Sequence, residues 1–199
     1  DTVTRQVGFR SVVLDQGQKP PQVLINGRRV FQHGVLYQGY FPDGLYTPPS
    51  PEAMKQDVLG FVAAGFNMVR VHAIVMPAVF YQWCDEAGLM VWQDMPSGDT
   101  RALPPWDGYR RSREEQLDPE FFSPPERFDE VRRSPESAAL YWQELRAMIE
   151  QLHSFACIVI WVPFNEGWGQ FDTRRVATWL AQLPPSRKRL VVAASGWND

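Results

Sequence analysis

The feature that most constrains this chain is a rhythm: short runs of strand-forming residues alternate with stretches whose apolar residues recur at helical spacing. Ser50-Pro51-Glu52 reads as a helix start, with a capping serine, a proline in the first turn and an acid at the positive end of the dipole. Met54, Val58, Phe61 and Val62 form that helix's apolar stripe, and Gly65 stops it. Residues 66–72 then read as a strand, 77–87 as a helix carrying Phe80, Tyr81 and Cys84, and 89–93 as another strand. Ser134-Pro135-Glu136 opens a long helix through Ala138, Tyr141, Trp142, Leu145, Met148, Ile149 and Leu152. The run 158–162 is wholly apolar and reads as a strand buried on both faces. Asp172 caps a further helix through Val176, Ala177, Leu180 and Leu183, ended by Pro184-Pro185, and 190–194 is one more strand.

With a strand at 30–36, this makes five strands and four helices in regular alternation. Such alternation predicts an α/β fold with a parallel sheet and helices outside it, either a barrel or a doubly wound sheet. No glycine-rich phosphate loop follows any strand, which disfavours the nucleotide-binding doubly wound versions. The expected fold is therefore a (β/α)8 TIM barrel. A closed barrel needs eight strands, so only about the first five are expected in this chain, which is expected to be truncated. Residues 1–25 read differently, as strand, loop and strand without a helix, and Asn26-Gly27 is a strong turn signal. The expected division is 1–25 as an all-β segment and linker, and 26–199 as the incomplete barrel. Residues 95–134 are rich in proline and charge, the composition of a long loop, and the charged run 110–115 reads as a solvated face.

A formal net charge of -3, with acidic and basic residues interspersed, leaves no electrostatic footprint for nucleic acid or an anionic membrane. No apolar run approaches the length of a membrane span. Cys84 and Cys157 lack the spacing of a metal or redox motif and read as buried free thiols. No cofactor or metal is expected. An open five-stranded piece would expose two sheet edges, so self-association, a homo-oligomer included, is expected.

In a parallel barrel the chemistry sits where the strands end. The residues there are Gln38 and Tyr40, then Arg70 and His72, then Asp94, then Asn165, Glu166 and Trp168, and finally Trp197, Asn198 and Asp199. Flat aromatic surfaces beside carboxylates and amides suit a carbohydrate, whose ring has apolar faces and a rim of hydroxyls. Asn165 and Glu166 are either turn residues closing the strand or members of one site. To serve one ligand, the strand must twist, bulge or end between them, and Gly167 and Gly169 give the backbone that freedom. Glu166 would act as a general acid if apolar neighbours such as Trp161 and Phe164 raised its pKa. Glycoside hydrolysis needs a second carboxyl group; Asp94 is either that group or a strand terminator. His72 is a metal ligand, a substrate donor or a structural imidazole, with metal the weakest reading for want of a partner ligand. Arg70 either holds a catalytic carboxylate or closes a buried ion pair.

These residues resemble glycoside hydrolase family 2, which includes β-galactosidases, β-glucuronidases and β-mannosidases. Val7-Gly8-Phe9-Arg10 is similar to the closing strand of the immunoglobulin-like sandwich domain that precedes the family's barrel. Leu24-Ile25-Asn26-Gly27 through Phe31-Gln32-His33-Gly34-Val35 resembles the approach to the first barrel strand. Gly65-Phe66-Asn67-Met68-Val69-Arg70 and the stretch from Phe80 to Leu89 resemble the second strand and helix, and Trp161 through Glu166 resembles the Asn-Glu motif ending the fourth strand. The resemblance implies a retaining exo-β-glycosidase of β-galactosidase-like type, with Glu166 as proton donor and later general base. It also implies that Asn165 binds the sugar hydroxyl beside the scissile carbon, and that the nucleophile, a glutamate ending the seventh strand, lies beyond Asp199. Arg70, His72, Asp94, Trp168 and Trp197 are the further expected substrate contacts. The alternative is a barrel remnant that binds carbohydrate without catalysis. Two departures stand out: the family's His-Tyr-Pro is replaced by His72-Ala73-Ile74-Val75-Met76-Pro77, and its His-Pro-Ser by Phe155-Ala156-Cys157. The second predicts a missing turn and cap before the fourth strand.

Overall fold

A computed structural model describes residues 7–99 and 133–195. Within them a three-stranded antiparallel sheet, β1 (Val12–Asp15), β2 (Gln22–Ile25) and β3 (Arg28–Arg29), precedes a five-stranded parallel sheet. The parallel strands, β4 (Gly34–Tyr37), β5 (Met68–Val71), β6 (Met90–Asp94), β7 (Ile158–Val162) and β8 (Leu190–Val191), lie side by side in sequence order. Among the described residues the connecting helices are α1 (Pro51–Ala63), α2 (Ala78–Ala87), α3 (Pro135–Leu152) and α4 (Thr173–Ala181). Sequential parallel strands joined by helices are the arrangement of part of a TIM barrel.

The helices start where their sequence signals say. The Ser50 hydroxyl accepts from the Ala53 amide at 3.3 Å, and that of Ser134 accepts from the Ser137 amide at 3.1 Å. Asp172 is different: it stands at the N-cap of α4 in a left-handed conformation (φ 45°, ψ 34°) and its side chain makes no capping bond. Its carboxylate instead faces Arg175 at 3.5 Å, so charge and not a cap relates it to the helix.

Alternation sorts each strand into two faces. Val69, Val71, Val91, Ile158 and Trp161 point to the helix layer and join Phe80, Tyr81, Tyr141, Leu145 and Leu152 in the main core. Val159, Ile160 and Val162 form a second buried cluster with Met90, Trp92, Leu190 and, from the antiparallel sheet, Val12 and Ile25. A bulge makes this sorting possible: Val91 pairs with Ile158 but Trp92 pairs with Ile160, so Val159 is an extra residue on β7. Every residue downstream on β7 is thereby shifted to the opposite phase, bringing Val162 level with Asp94.

Element boundaries differ most from the sequence expectation at three places. Residues 30–33 are loop, and the strand expected at 30–36 is Gly34–Tyr37. The last strand covers Leu190–Val191, where 190–194 was expected; beyond it the backbone turns, with Ser195 at φ 61°. Residues 7–10 form no strand. Instead Gly8 lies against Ala156, and Arg10 Nε donates to the Ala156 carbonyl at 2.5 Å, which ties this segment to the loop before β7.

That loop is also where a missing turn and cap were expected. Arg189, only 5% exposed, supplies the bonds: it donates to the carbonyls of Ile158 (2.6 Å), His153 (2.7 Å) and Phe155 (3.4 Å). Asp85 accepts from the Cys157 amide at 2.5 Å. A guanidinium and a carboxylate thus do the work of the absent motif. Burial lowers the pKa of Arg189 to about 9, with nearby Arg10 adding to the effect. Cys84 and Cys157 are both buried and free.

Candidate active site

The C-terminal ends of β4 to β7 open onto a cleft of about 740 Å³ lined by Leu36, Gln38, Tyr46, Arg70, His72, Ser97, Asn165, Glu166 and Trp168, among others. Its polar centre is Arg70. On β5, Arg70 faces away from the helix-side positions Val69 and Val71, toward the cleft. Its Nε and Nη2 donate to the two oxygens of Asp94 at 2.9 and 2.8 Å, the two-pronged pairing for which a planar guanidinium is suited. Nη2 also donates to Asn165 Oδ1 at 2.8 Å, and Nη1 to the Ser195 hydroxyl. Asp94 is 1% exposed and further accepts from the Ala73 amide at 3.2 Å. Burial pushes the Asp94 carboxyl up from its ordinary value, while Arg70, His72 and the Ala73 amide each pull it back down. Of the two sequence readings of Arg70, the buried ion pair describes its contacts, and Asp94 stands behind the cleft wall as its counter-ion.

Asn165 and Glu166 reach one site because the strand has ended. β7 stops at Val162, and 165–168 is a tight turn in which Glu166 (φ 48°) and Gly167 (φ 83°) are both left-handed. The Trp168 amide donates to the Asn165 carbonyl at 2.9 Å, closing the turn. Two successive positive φ values define the type I′ geometry, which suits glycine at the second position and is strained for glutamate at the first. Non-glycine residues held in that region cluster at functional sites, which is why this one draws the eye. The Glu166 amide donates to the Ala194 carbonyl at 3.3 Å.

Trp161 and Phe164 do not flank Glu166. Trp161 donates to the Arg187 carbonyl at 3.1 Å from the helix side, and Phe164 stacks on Tyr141 at 5.2 Å. His72 lines the cleft with its Nδ1 2.9 Å from the Gln38 amide nitrogen. Trp168 lines it as well, whereas Tyr40, 62% exposed, packs edge-on against the cleft residue Tyr46. The expected site residue Trp197, with Asn198 and Asp199, lies outside the described residues. Among the described residues no group of three His, Cys, Asp or Glu could hold a metal ion, and no helix is long and apolar enough to cross a membrane.

Sequence reasoning missed Tyr46, Ser97, Ser195 and Arg133. Arg133 directly precedes the helix start at Ser134, and its burial and its bonds across the sheet follow only from the fold.

Residues 18–196 match the family model of the glycosyl hydrolases family 2, TIM barrel domain. The chain therefore belongs to glycoside hydrolase family 2. It is similar to a β-galactosidase of Yersinia enterocolitica, 26% identical over 181 residues covering 91% of this chain and 15% of that protein. A β-galactosidase of Lactococcus lactis is 22% identical over 184 residues, covering 92% of this chain and 16% of its own length. The chain thus spans about one-sixth of the curated relatives it matches. Among solved structures, the β-D-mannosidase from Dictyoglomus thermophilum superposes with a TM-score of 0.69 at 22% identity, covering 98% of this chain and 23% of that one. An FMN-binding β-glucuronidase from Faecalibacterium prausnitzii gives 0.64 at 21% identity, over 93% and 24%. These likenesses bear out the partial TIM barrel.

Proposed function

We propose that this chain carries the acid/base half of a retaining exo-β-glycosidase that removes terminal β-linked sugars. Glu166 is the proton donor to the leaving oxygen in the first step and the base that activates water in the second. Asn165, whose amide oxygen is held by Arg70, presents its NH2 group to a sugar hydroxyl. His72 donates to the sugar, and Trp168 offers a flat face to its C–H surface. Arg70 and Asp94 act as a preorganised pair that fixes Asn165.

The observation that carries this reading is the Asn165-Glu166 turn: a left-handed, non-glycine carboxylate set into the cleft beside an amide locked by an arginine. Glu166 is the one carboxylate among the described cleft-lining residues. The reaction needs two, so the nucleophile comes from outside the described cleft-lining residues. The β-galactosidase relatives support a galactoside-like substrate.

The stereochemical course tests the reading. Proton NMR of the first sugar released from an aryl β-glycoside by the whole protein is expected to show the β anomer. An α anomer as first product would refute the double-displacement mechanism.

A further inference from the structure

Building on the reading of Glu166 as acid/base, we propose that Arg133 is its positioning residue: Arg133 clamps the exit of the Glu166 turn to the loop after β6 and so fixes where the carboxyl stands over the cleft. Arg133 immediately precedes Ser134, the N-cap of α3, with its side chain 4% exposed. A buried cation at the positive end of a helix is doubly unfavourable, through desolvation and through the dipole. Burial accordingly lowers its pKa, against the pull of Asp99, Tyr141 and Glu144. An arginine tolerated there must make contacts that offset both effects.

Those contacts converge on the catalytic turn. Nε and Nη2 of Arg133 donate to the Gly169 carbonyl at 3.0 and 2.8 Å, and Nη2 also donates to the Ser97 carbonyl. Nη1 donates to the Ser137 hydroxyl at 3.2 Å, and Asp99 lies 3.7 Å away. The guanidinium sits over the rings of Tyr141 (5.1 Å) and Phe171 (4.8 Å), which fix its plane. Ser97, itself a cleft residue, donates from its hydroxyl to the Trp168 carbonyl at 2.8 Å. Two successive carbonyls at the turn's exit, those of Trp168 and Gly169, are thus both held by the loop after β6 and the start of α3.

The approach is close enough to exclude a side chain. A Cβ on Gly169 would lie 1.9 Å from the Ser97 carbonyl oxygen and 2.5 Å from Arg133 Nη2. At the turn's entrance, Asn165 is held by Arg70. Two arginines therefore bracket the turn, one from the cleft and one from the helix layer, and Glu166 and Gly167 are the residues between the clamps. Without Arg133, the Gly169 carbonyl loses its charged donor and the Ser97 loop that holds the Trp168 carbonyl loses its tie to the turn's exit, so the Glu166 turn is held chiefly from its entrance.

The test has two arms on the whole protein. In the first, hydrogen exchange is followed at the Trp168 and Gln170 amides and at the strand Ile158–Val162, in the unsubstituted protein, Arg133→Met and Arg133→Lys. The turn amides of Arg133→Met are expected to exchange at least about 10-fold faster with β7 little changed, and Arg133→Lys to recover part of the protection. Equal acceleration in turn and strand, or none in the turn, would overturn the proposal. In the second arm, Arg133→Met is expected to lower kcat on glycosides with poor leaving groups about 10- to 100-fold while KM changes little, because only the position of the acid is lost. A rise in KM with kcat intact would overturn it. The exchange arm needs no substrate, so it decides the role of Arg133 even if the unsubstituted protein shows no turnover, a result that would sink only the reading of Glu166.

Discussion

Arg70 and Asp94 meet side by side, two nitrogens on two oxygens at 2.9 and 2.8 Å, with the carboxylate 1% exposed and the guanidinium 17%. The pair is asymmetric: Asp94 is spent on Arg70 and the Ala73 amide, whereas Arg70 reaches onward to Asn165 and Ser195. Breaking such a pair from one side leaves a buried charge without compensation. Arg70→Met is therefore expected to destabilise the protein by roughly 3–5 kcal/mol, measured by urea unfolding. Arg70→Met combined with Asp94→Leu is expected to cost less than the single change; a strictly additive double-mutant cycle would contradict the coupling.

The same pair sets a pH dependence. Burial places the folded-state pKa of Asp94 above its ordinary value of 3.8, and Arg70 restrains the rise. A carboxyl raised on folding contributes stability that is fully present below about 3.8 and is lost as pH rises through the folded-state value. Two outcomes follow. Asp94→Asn should gain stability relative to the unsubstituted protein as pH rises above 4, once its own loss of the ion pair is taken as the baseline. Arg70→Met should move the Asp94 titration further upward, read from its side-chain carboxyl carbon shift by NMR. A downward move would show that Arg70 does not hold the carboxylate charged.

Arg189 holds the approach to β7 through the carbonyls of His153 and Phe155 before the strand and of Ile158 at its start. Arg189→Met keeps much of the stem but removes every donor, leaving the carbonyls of Ile158 and His153 without that partner. With each hydrogen bond to a charged group worth about 1.5–3 kcal/mol, a loss of at least about 3 kcal/mol is expected, by thermal or urea unfolding. A loss below about 1 kcal/mol would mean that the Asp85 bond to the Cys157 amide suffices.

The parts legible in the sequence were those that local chemistry determines. Ser50-Pro51 and Ser134-Pro135 mark their helix starts because a capping hydroxyl acts within three residues, and the apolar run at 158–162 marks β7 because both of its faces are buried. Glu166, Asn165, Arg70, His72 and Trp168 do gather at one cleft, since strand ends converge wherever a parallel sheet forms. What could not be read depends on register and on loops meeting across the sheet. The extra residue Val159 is invisible without its partner strand, and it decides which β7 side chains face inward. Trp161 and Phe164 were expected beside Glu166 on the strength of sequence proximity, but the phase of the strand sends Trp161 to the helices, and Phe164 finds Tyr141 there. Arg133 and Ser195 come to the site from loops distant in sequence, and no spacing rule connects them.

The central claim is that Glu166 donates the proton to the leaving group, and leaving-group dependence of Glu166→Gln in the whole protein tests it most directly. For alkyl β-glycosides, whose leaving oxygen must be protonated, kcat is expected to fall by about 10²- to 10⁴-fold. For an activated aryl β-glycoside, which departs without help, the first chemical step should be little changed, with any slowing confined to hydrolysis of the covalent intermediate. An equal loss of the first step on both substrates, or no loss on either, would contradict the assignment.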